Sequence, residues 1–190
     1  MKKIKDIVKK LNLDESFLID FEMEAETLYL AKKEMFVKEG RSCKYIGIVK
    51  EGALYAFTSK EENQVVHDLY LPDSLITYYR SFLTQLPANG SIQAAEDSVI
   101  YAFSFEKYQS LIKSIAWLKF FKYVADSLFI RKCARENSFM KLSAPERYKQ
   151  LRTLHPRIEQ IFPQYKIASY LGIKAETLSR IKSLDLHQEK

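Results

Sequence analysis

Residues 163–184 are PQYKIASYLGIKAETLSRIKSL, and this stretch indicates two short helices about a tight corner. The first helix has apolar Ile167, Ala168 and Leu171 on one side, and the small Ala168 lets a second helix cross close over it. Gly172 follows where this helix must end, because glycine adopts the left-handed conformation of a helix C-terminus without a Cβ clash. The sequence therefore predicts a sharp turn at residue 172.

The second helix combines an apolar stripe with a polar outer face. Ile173 fills the corner, while Leu178 and Ile181, three residues apart, form the buried stripe. The outward side chains are Lys174, Glu176, Thr177, Ser179, Arg180 and Lys182. This pattern is typical of a helix-turn-helix, whose second helix enters the major groove of DNA. The alternative is an ordinary helical hairpin, which does not need polar residues concentrated on one outer face.

Length and composition are compatible with one domain or two, and they indicate a well-packed core. Of the 190 residues, 47% are hydrophobic, and 12 Phe and 12 Tyr supply bulky side chains. The formal charge of +6 is uneven, since residues 141–190 contain 10 Lys and Arg against 5 Asp and Glu, whereas residues 1–140 contain 20 against 19. The excess charge lies with the helix-turn-helix, as a polyanion-binding module requires, but solvated basic surfaces are common.

Several classes of protein lack support in this sequence. Cys43 and Cys133 lie far apart and in no metal-ligand spacing, so we expect reduced thiols in a cytoplasmic protein. The basic N-terminus is not followed by the apolar segment of a signal peptide, and no stretch approaches the roughly 18 apolar residues of a membrane span. No Ser/His/Asp, paired-carboxylate, Walker or zinc spacing is present, so we expect no enzyme, no metal site and no cofactor.

The N-terminal part predicts two helices. Residues 2–12 have apolar side chains at helical spacing, and the segment either lies on a membrane surface or, as its narrow stripe favours, docks on the domain. Asp14 is the predicted cap of a second helix that continues to about Glu24.

Residues 27–104 predict an all-β domain. Short segments rich in β-branched and aromatic residues are separated by turn signals such as Glu39-Gly40, Glu51-Gly52 and Pro72-Asp73. Strands of this length indicate a barrel or a jelly-roll-like sandwich. The predicted strands are 28–30, 35–37, 45–49, 53–57, 64–71, 90–94 and 98–103.

The pattern is helical from Glu106 to about Phe139. Residues 117–130 are unusually apolar for a helix at the edge of a small domain, and a seam of 3.5-residue period passes through Phe121, Ala125, Leu128 and Phe139. Packing on the β domain alone is one interpretation, but apolar residues on more than one face favour burial by both the β domain and a partner helix. A fresh helix then begins, with Ser143 as N-cap and Glu146 at the capping-box position.

This order of a strand-rich domain, a long helix and a helix-turn-helix resembles the Crp/Fnr family of bacterial transcription regulators. The likeness covers nearly the whole chain and is strongest in residues 167–181, IASYLGIKAETLSRI, where Glu-Thr is followed three residues later by Arg. Gly40 and Gly52 match the first two turn glycines of the family, while Asp73 stands where family members often have glycine.

The resemblance implies an α+β fold. It consists of an N-terminal, jelly-roll-like β-roll sensor domain (1–113), a connecting dimerisation helix (114–140) and a C-terminal helix-turn-helix domain (141–190). Family members are homodimers that act at promoters, which makes double-stranded DNA with an inverted repeat the expected partner and RNA polymerase a further candidate. The sequence ends within about six residues of the predicted recognition helix, so we expect it to lack the β-hairpin wing that relatives place there and to bind DNA more weakly.

The resemblance also assigns candidate DNA contacts. Glu176 and Arg180 match positions that reach base edges, where arginine can pair with guanine and a carboxylate can accept from cytosine. An alternative role for Glu176 is to complement the dipole of its own helix. Ser169 and Thr177 match phosphate-contacting positions, and Lys174 and Lys182 are expected to add charge without a place in the motif.

The effector expected from the family is doubtful, because the cyclic-nucleotide cassette is altered. The family carries Gly-Glu for the ribose and Arg-Ser for the cyclic phosphate, whereas this chain has Thr77-Tyr78 and Ala88-Asn89. A buried phosphate without that arginine would be poorly paired, so we expect an effector other than cyclic AMP. The candidate effector pocket consists of Tyr70, Thr77, Tyr78, Tyr79, Ala88 and Asn89.

Two functions remain open. The first is a dimeric, sequence-specific transcription regulator whose effector is unknown. The second is a small-molecule or protein-binding sensor in which the helix-turn-helix is an interaction surface, an interpretation that the acidic Glu176, Asp185 and Glu189 keep open.

Overall fold

The computed structural model describes residues 2–60 and 63–188. In this part of the chain, strands lie in two four-stranded antiparallel sheets, in the orders β1-β8-β3-β6 and β2-β7-β4-β5. The two sheets form the jelly-roll-like sandwich rather than a closed barrel. The strands are β1 (Glu26–Leu30), β2 (Met35–Val37), β3 (Tyr45–Glu51), β4 (Leu54–Lys60), β5 (Asn63–Tyr70), β6 (Leu75–Ile76), β7 (Ser91–Ala94) and β8 (Ser98–Ser104).

The alternation of side chains along β4 explains how one strand serves two cores. Leu54 and Ala56 point into the sandwich, where they pack with residues of both sheets. Tyr55 and Phe57 point to the opposite face, and they are nevertheless buried. A strand that is apolar on both faces must be covered on both sides, and the C-terminal helices cover the outer one.

The turns of the sandwich use left-handed backbone at the expected glycines. Gly40 and Gly52 have φ of 80° and 83°, and a Cβ on Gly52 would lie 2.4 Å from the Asp97 carbonyl oxygen. Asp73, which stands where relatives often have glycine, also has a positive φ, of 70°. Aspartate is one of the few side chains that tolerates this region, so the turn keeps its geometry without glycine.

Two N-terminal helices, α1 (Lys2–Lys10) and α2 (Phe17–Glu24), pack on the sandwich. The apolar stripe of α1 is buried, which confirms the prediction that this segment docks on the domain. The cap prediction was wrong in detail: α2 begins after Ser16, and Asp14 instead accepts a hydrogen bond from the Ser16 backbone N at 2.8 Å. The Asp14 side chain therefore closes the turn before the helix.

Three further helices complete the first core: α3 (Tyr79–Thr84), α4 (Phe105–Leu111) and the long α5 (Ile115–Lys141). One face of α5 is buried on the sandwich through Trp117, Phe120, Phe121 and Val124. Aromatic pairs such as Phe103 and Phe121, with ring centroids 5.5 Å apart, hold this contact.

The predicted seam on α5 was wrong for three of its four residues. Phe121 is buried in the sandwich core, and Leu128 packs against the same core. Phe139 lies against the turn at Gly172, where its ring is 2.7 Å from the position of a Cβ on that glycine. The physical reason is that Leu128 and Phe139 follow Phe121 by 7 and 18 residues, close to whole numbers of helical turns, so the three share one face of α5. That face turns towards the sandwich and the helix-turn-helix, not outward.

Four C-terminal helices form the second core: α6 (Ala144–Leu154), α7 (Ile158–Ile161), α8 (Gln164–Tyr170) and α9 (Ala175–Gln188). The start of α6 follows the predicted capping box, since the Glu146 carboxylate accepts from both the backbone N and the Oγ of Ser143 at 2.7 Å. This core continues into the outer face of β4 and β5, so both halves of the chain share it. Within the described residues, no helix is long and apolar enough to cross a membrane.

Candidate functional site

The helix-turn-helix has the geometry that residues 163–184 predict. Gly172 has φ of 71°, and the Ile173 backbone N donates to the Ala168 carbonyl at 3.0 Å, which closes the end of α8. Leu178 and Ile181 of α9 are buried against α8. Helix α9 continues to Gln188, further than the predicted end near residue 184.

The outer face of α9 presents the two candidate base-contacting residues together. Glu176 and Arg180 are exposed and stand one helical turn apart on a helix that is anchored by its opposite face. Within residues 2–60 and 63–188, neither side chain has a hydrogen-bond or ion-pair partner. Glu176 lies in the first turn of α9, so its carboxylate also complements the helix dipole, and both interpretations of this residue fit its position.

The four candidate phosphate contacts separate into two pairs. Lys174 and Thr177 are exposed beside the outer face of α9. Lys182 instead forms an ion pair with Glu159 at 2.9 Å. Ser169 is half-buried, and its Oγ accepts from the Val66 backbone N at 2.9 Å. In this arrangement, Lys174 and Thr177 are available to DNA, whereas Lys182 and Ser169 are engaged within the chain.

The contact of Ser169 belongs to a larger docking of α8 on β5. The Ser169 hydroxyl also donates to the Gln64 carbonyl, at 3.3 Å. Beside it, Lys166 is buried, and its Nζ lies 3.3 Å from the centroid of the Tyr55 ring. Burial lowers the pKa of the Lys166 ammonium to about 8, and the charge of Lys32 acts in the same direction. Burial likewise raises the pKa of Tyr55 to about 12.

A cavity of about 910 Å³ opens between β5, α5, α6 and α8. Three of the six predicted pocket residues, Tyr70, Thr77 and Tyr79, line it. The other three lie elsewhere: Tyr78 donates from its hydroxyl to the Asn89 side chain at 2.8 Å, and Ala88 is buried in the sandwich core. The cavity is therefore displaced from the predicted pocket towards the helix-turn-helix.

Sequence reasoning missed the arginines that line this cavity. Arg131 pairs with Asp68 at 2.8 Å and lies over the Tyr70 ring at 5.2 Å from its centroid. Arg135 lies between two aromatic rings, 4.7 Å from the centroid of Phe139 and 4.5 Å from that of Tyr170. The signal was present, because Arg135 interrupts the apolar pattern of the long helix.

Arg147 of α6 connects the cavity with the helix-turn-helix turn. Its guanidinium donates to the carbonyls of Leu142 at 2.6 Å and Leu171 at 2.9 Å, and it lies 4.6 Å from the centroid of the Phe139 ring. The Nε atom of the same side chain is buried and has no partner among the described residues. Arg147 therefore positions the end of α8 and retains one unused donor.

Two histidines line the same cavity. Burial lowers the pKa of His67, although the nearby Asp68 charge opposes this shift, and burial also lowers the pKa of His155. Both imidazoles are therefore neutral at pH 7. The Nε2 atom of His67 is buried without a hydrogen-bond partner in the part of the chain that is described. No group of three or more His, Cys, Asp or Glu side chains within the described residues is arranged to hold a metal ion.

Comparisons with known proteins agree with this architecture. Residues 27–114 match the family of the cyclic nucleotide-binding domain. FixK2 from Bradyrhizobium japonicum has the same fold at a TM-score of 0.70 and 15% identity, covering 87% of this chain and 85% of its own. A putative transcriptional regulator of the Crp/Fnr family from Eubacterium rectale has a TM-score of 0.69 at 16% identity, covering 93% of this chain and 85% of its own. A CooA mutant from Carboxydothermus hydrogenoformans has a TM-score of 0.68 at 17% identity, covering 96% of this chain and 84% of its own.

A search of curated proteins found no match. The structural likeness nevertheless covers both halves of the chain, from the β-sandwich to the helix-turn-helix. Residues 27–114 match the cyclic nucleotide-binding domain, and with the C-terminal helices that follow them the chain has the same fold as solved Crp/Fnr transcription regulators. The resemblance that the sequence predicted is confirmed at this level.

Proposed function

We propose that this chain is a dimeric, sequence-specific DNA-binding transcription regulator of the Crp/Fnr type. The observation that carries the proposal is the outer face of α9. There Glu176 and Arg180 are exposed and have no partner among the described residues, while Leu178 and Ile181 anchor the helix from its other side. A carboxylate and a guanidinium one turn apart can read a C·G and a G·C base pair in the major groove. Lys174 and Thr177 add contacts to the flanking phosphates.

The proposed dimer is formed through the outward face of α5. Leu118, Phe129 and Met140 are exposed by 52%, 68% and 75%, and they share a face with half-buried Ala125 and Cys133. This face is opposite to the one that Trp117 and its neighbours bury on the sandwich. An exposed apolar stripe on a 27-residue helix, interrupted by Lys122 and Glu136, is best covered by the same stripe of a second copy.

Two such copies present two α9 helices related by a two-fold axis. The target is then an inverted repeat whose half-site centres are roughly 34 Å apart. We further propose that the regulator acts in the cytoplasm, where the free thiols of Cys43 and Cys133 stay reduced, and that RNA polymerase is its partner at promoters. The site favours binding rather than catalysis.

The test begins with selection of duplexes from a random DNA pool by the full-length protein. We expect enrichment of one inverted repeat, with salt-dependent binding to it that is at least about a thousandfold tighter than to a scrambled duplex. Binding that shows no sequence preference at any salt concentration would contradict the proposal.

A second candidate function is a sensor whose helix-turn-helix contacts protein rather than DNA. One observation favours it: Ser169 and Lys182, two of the four candidate phosphate contacts, are engaged within the chain. This alternative predicts only weak, nonspecific binding that disappears as salt is raised. The same selection experiment therefore distinguishes the two functions.

A further inference from the structure

The cavity between the sandwich and the helix-turn-helix has the size and composition of a ligand site. Its volume of about 910 Å³ is within the range of small-molecule pockets. It is bounded by β5 on one side, by α5 along its length and by α6 and α8 at its base. A molecule in this space would contact both the sensor domain and the DNA-binding domain.

The cavity wall carries more positive than negative charge. Arg131, Lys132, Arg135 and Arg147 line it, against only Asp68 and Glu136 among the lining carboxylates. Arg131 is paired with Asp68 at 2.8 Å, and Lys132 is 4.0 Å from Glu136. Arg135 and Arg147 donate to backbone carbonyls and have no carboxylate partner among the described residues. In the described part of the chain, two guanidinium groups therefore have no direct carboxylate partner.

The wall also contains buried donor and acceptor atoms that the described protein atoms do not satisfy. The Nε of Arg147 and the Nε2 of His67 are both buried without a partner, and both residues line this cavity. A buried polar atom without a partner costs free energy, but both atoms are covered by the surrounding protein, so a molecule in the cavity does not reach them directly. These two atoms are on opposite walls, since Arg147 belongs to α6 and His67 to β5.

The remaining lining is apolar and aromatic. Tyr70, Phe139 and Tyr170 present rings, and Leu128 and Leu154 present aliphatic surface. Leu154 is 65% exposed, so part of this surface lies in contact with solvent. An inorganic ion would leave these side chains uncovered, whereas a molecule with an apolar body would cover them.

We propose that this cavity binds a small organic anion that joins a carboxylate or phosphate group to an apolar body. Its charged group pairs with Arg135 and Arg147, and its body contacts Phe139, Tyr170 and Leu154. The anion is the effector of the proposed regulator, and only this last assignment rests on the proposed function. Binding itself requires no DNA.

The position of Arg147 gives this ligand a route to the DNA-binding surface. Arg147 donates to the Leu171 carbonyl, directly before the turn residue Gly172. An anion that draws the guanidinium towards the cavity acts on the turn that orients α9. The cavity is also formed from the docked arrangement of α8 on β5, so a ligand here stabilises that arrangement.

The proposal is tested with two anionic probes, 1-anilinonaphthalene-8-sulfonate and decanoate. Decanol serves as the neutral match of decanoate, and inorganic phosphate as an anion without an apolar body. Titration of the full-length protein is followed by calorimetry and, for the naphthalene probe, by fluorescence. We expect saturable binding of both organic anions, with decanol and phosphate at least about tenfold weaker, since each lacks one of the two recognised features.

Three variants assign the binding to this cavity. Arg135→Gln removes one unpaired charge and should weaken both organic anions about tenfold or more. Gln150→Trp, at an exposed lining position, narrows the cavity while every charge stays in place, and it should weaken them as well. Lys119→Gln removes a charge from the same helix outside the cavity and should change neither affinity.

The outcomes are separable. Absence of saturable binding of both anions, equal affinity for decanoate and decanol, or unchanged binding in both Arg135→Gln and Gln150→Trp would overturn the anion site. Circular dichroism identifies a variant that does not fold, in which case the other variant decides. Anion binding by a protein that shows no specific DNA binding would leave the site intact and overturn the proposed function instead.

Discussion

Arg180 has no partner within the described residues, on a helix that is held from its other side, and this makes its loss easy to interpret. Arg180→Ala should cost about 1–3 kcal/mol per half-site and relax discrimination at one base pair, because a bidentate contact with guanine is lost. The measurement is binding of the selected site and of a scrambled site across a salt series.

Lys174 offers the matched control for Arg180. It is an exposed cation in the turn directly before α9 and has no ion pair with any described residue. Lys174→Ala should weaken both DNAs alike and reduce the slope of the salt dependence by about one. Lys182 is a poorer control, because its removal would also leave Glu159 without its cation. If Arg180→Ala loses the same affinity for the selected and the scrambled DNA, Arg180 contacts only the phosphate backbone of the DNA.

Lys166 makes the stability of the docked molecule depend on pH. Its pKa is about 8 in the folded chain, below the ordinary lysine value of 10.5. Between pH 8 and about 10 the folded chain has released this proton while the unfolded chain keeps it, so stability should rise with pH in this window. The window closes near pH 10, where unfolded tyrosines begin to ionise while Tyr55 keeps its proton up to about pH 12.

Lys166→Met tests this dependence. The variant should unfold at a higher temperature than the wild type at pH 7, and the difference should shrink at pH 9.5, because the methionine has no charge to desolvate. Thermal unfolding at the two pH values measures both quantities, with Lys174→Met as an exposed control that should show no such change. If the unfolding temperatures of Lys166→Met and the wild type differ by the same amount at both pH values, the buried charge of Lys166 is not the cause of the difference.

The altered cassette predicts how the chain responds to cyclic AMP. Ala88 stands at the position where the family has the arginine for the cyclic phosphate, and its side chain is buried in the sandwich core without charge. Calorimetric titration should give no binding heat up to about 1 mM cyclic AMP, since a phosphate in this place would have no cation to pair with. Micromolar affinity would show that the nucleotide uses another part of the molecule.

At the scale of elements, α5 has two apolar faces with different functions. Phe129→Asp alters only the outward face, so the protein should change from twice the 22.3 kDa chain mass to a monomer, because a charge would then be buried in the proposed dimer interface. Thermal stability of each chain should be nearly unchanged. Light scattering measures the mass, and unfolding followed by near-UV circular dichroism measures the packing.

The neighbouring residue supplies the contrast. Leu128 packs against the sandwich core, so Leu128→Asp should destabilise the fold before it affects the proposed dimer interface. A wild-type monomer, or a Phe129→Asp protein that stays a dimer, would show that the outward face of α5 is not the interface.

The limits of sequence reasoning are clearest in these elements. Strands, turns and the helix-turn-helix could be predicted, because each is specified by local periodicity and by single residues such as Gly52 and Gly172 that the backbone requires. The two faces of α5 could not be assigned, because both are apolar and only the position of the sandwich decides which one is buried. The docking of α8 likewise depends on Ser169 meeting β5, more than a hundred residues away in sequence.

At the scale of the whole molecule, the docking of α8 competes with one of the proposed DNA contacts. A Ser169 hydroxyl that donates to a phosphate must release its bond to the Gln64 carbonyl. Because this hydroxyl is half-buried on β5, DNA reaches it only if α8 moves off β5, which also breaks the bond from the Val66 backbone N. Hydrogen exchange at the Val66 amide should therefore accelerate, by about tenfold or more, when the selected DNA is added. The amide of Ile100, in the core of the other sheet, should show no change and serves as the internal control.

Unchanged exchange at Val66 in the DNA complex would mean that α8 stays on β5 while α9 binds. In that case Ser169 would be a structural residue, and the phosphate contacts would be limited to Lys174 and Thr177. Lys174 and Thr177 can contact phosphate in a complex in which α8 stays on β5, whereas Ser169 can do so only in a complex in which α8 has moved.

The position of Phe139 gives the long helix a mechanical role. The fully buried part of α5 ends at Val124, and Phe139, about 22 Å further along the axis, lies against Gly172. A tilt of about ten degrees at the buried end would carry this ring about 4 Å sideways, given the rise of an α-helix. The helix therefore transmits a tilt at the sandwich to the turn that orients α9. Pairing of two α5 helices along their length would make the two α9 helices change orientation together.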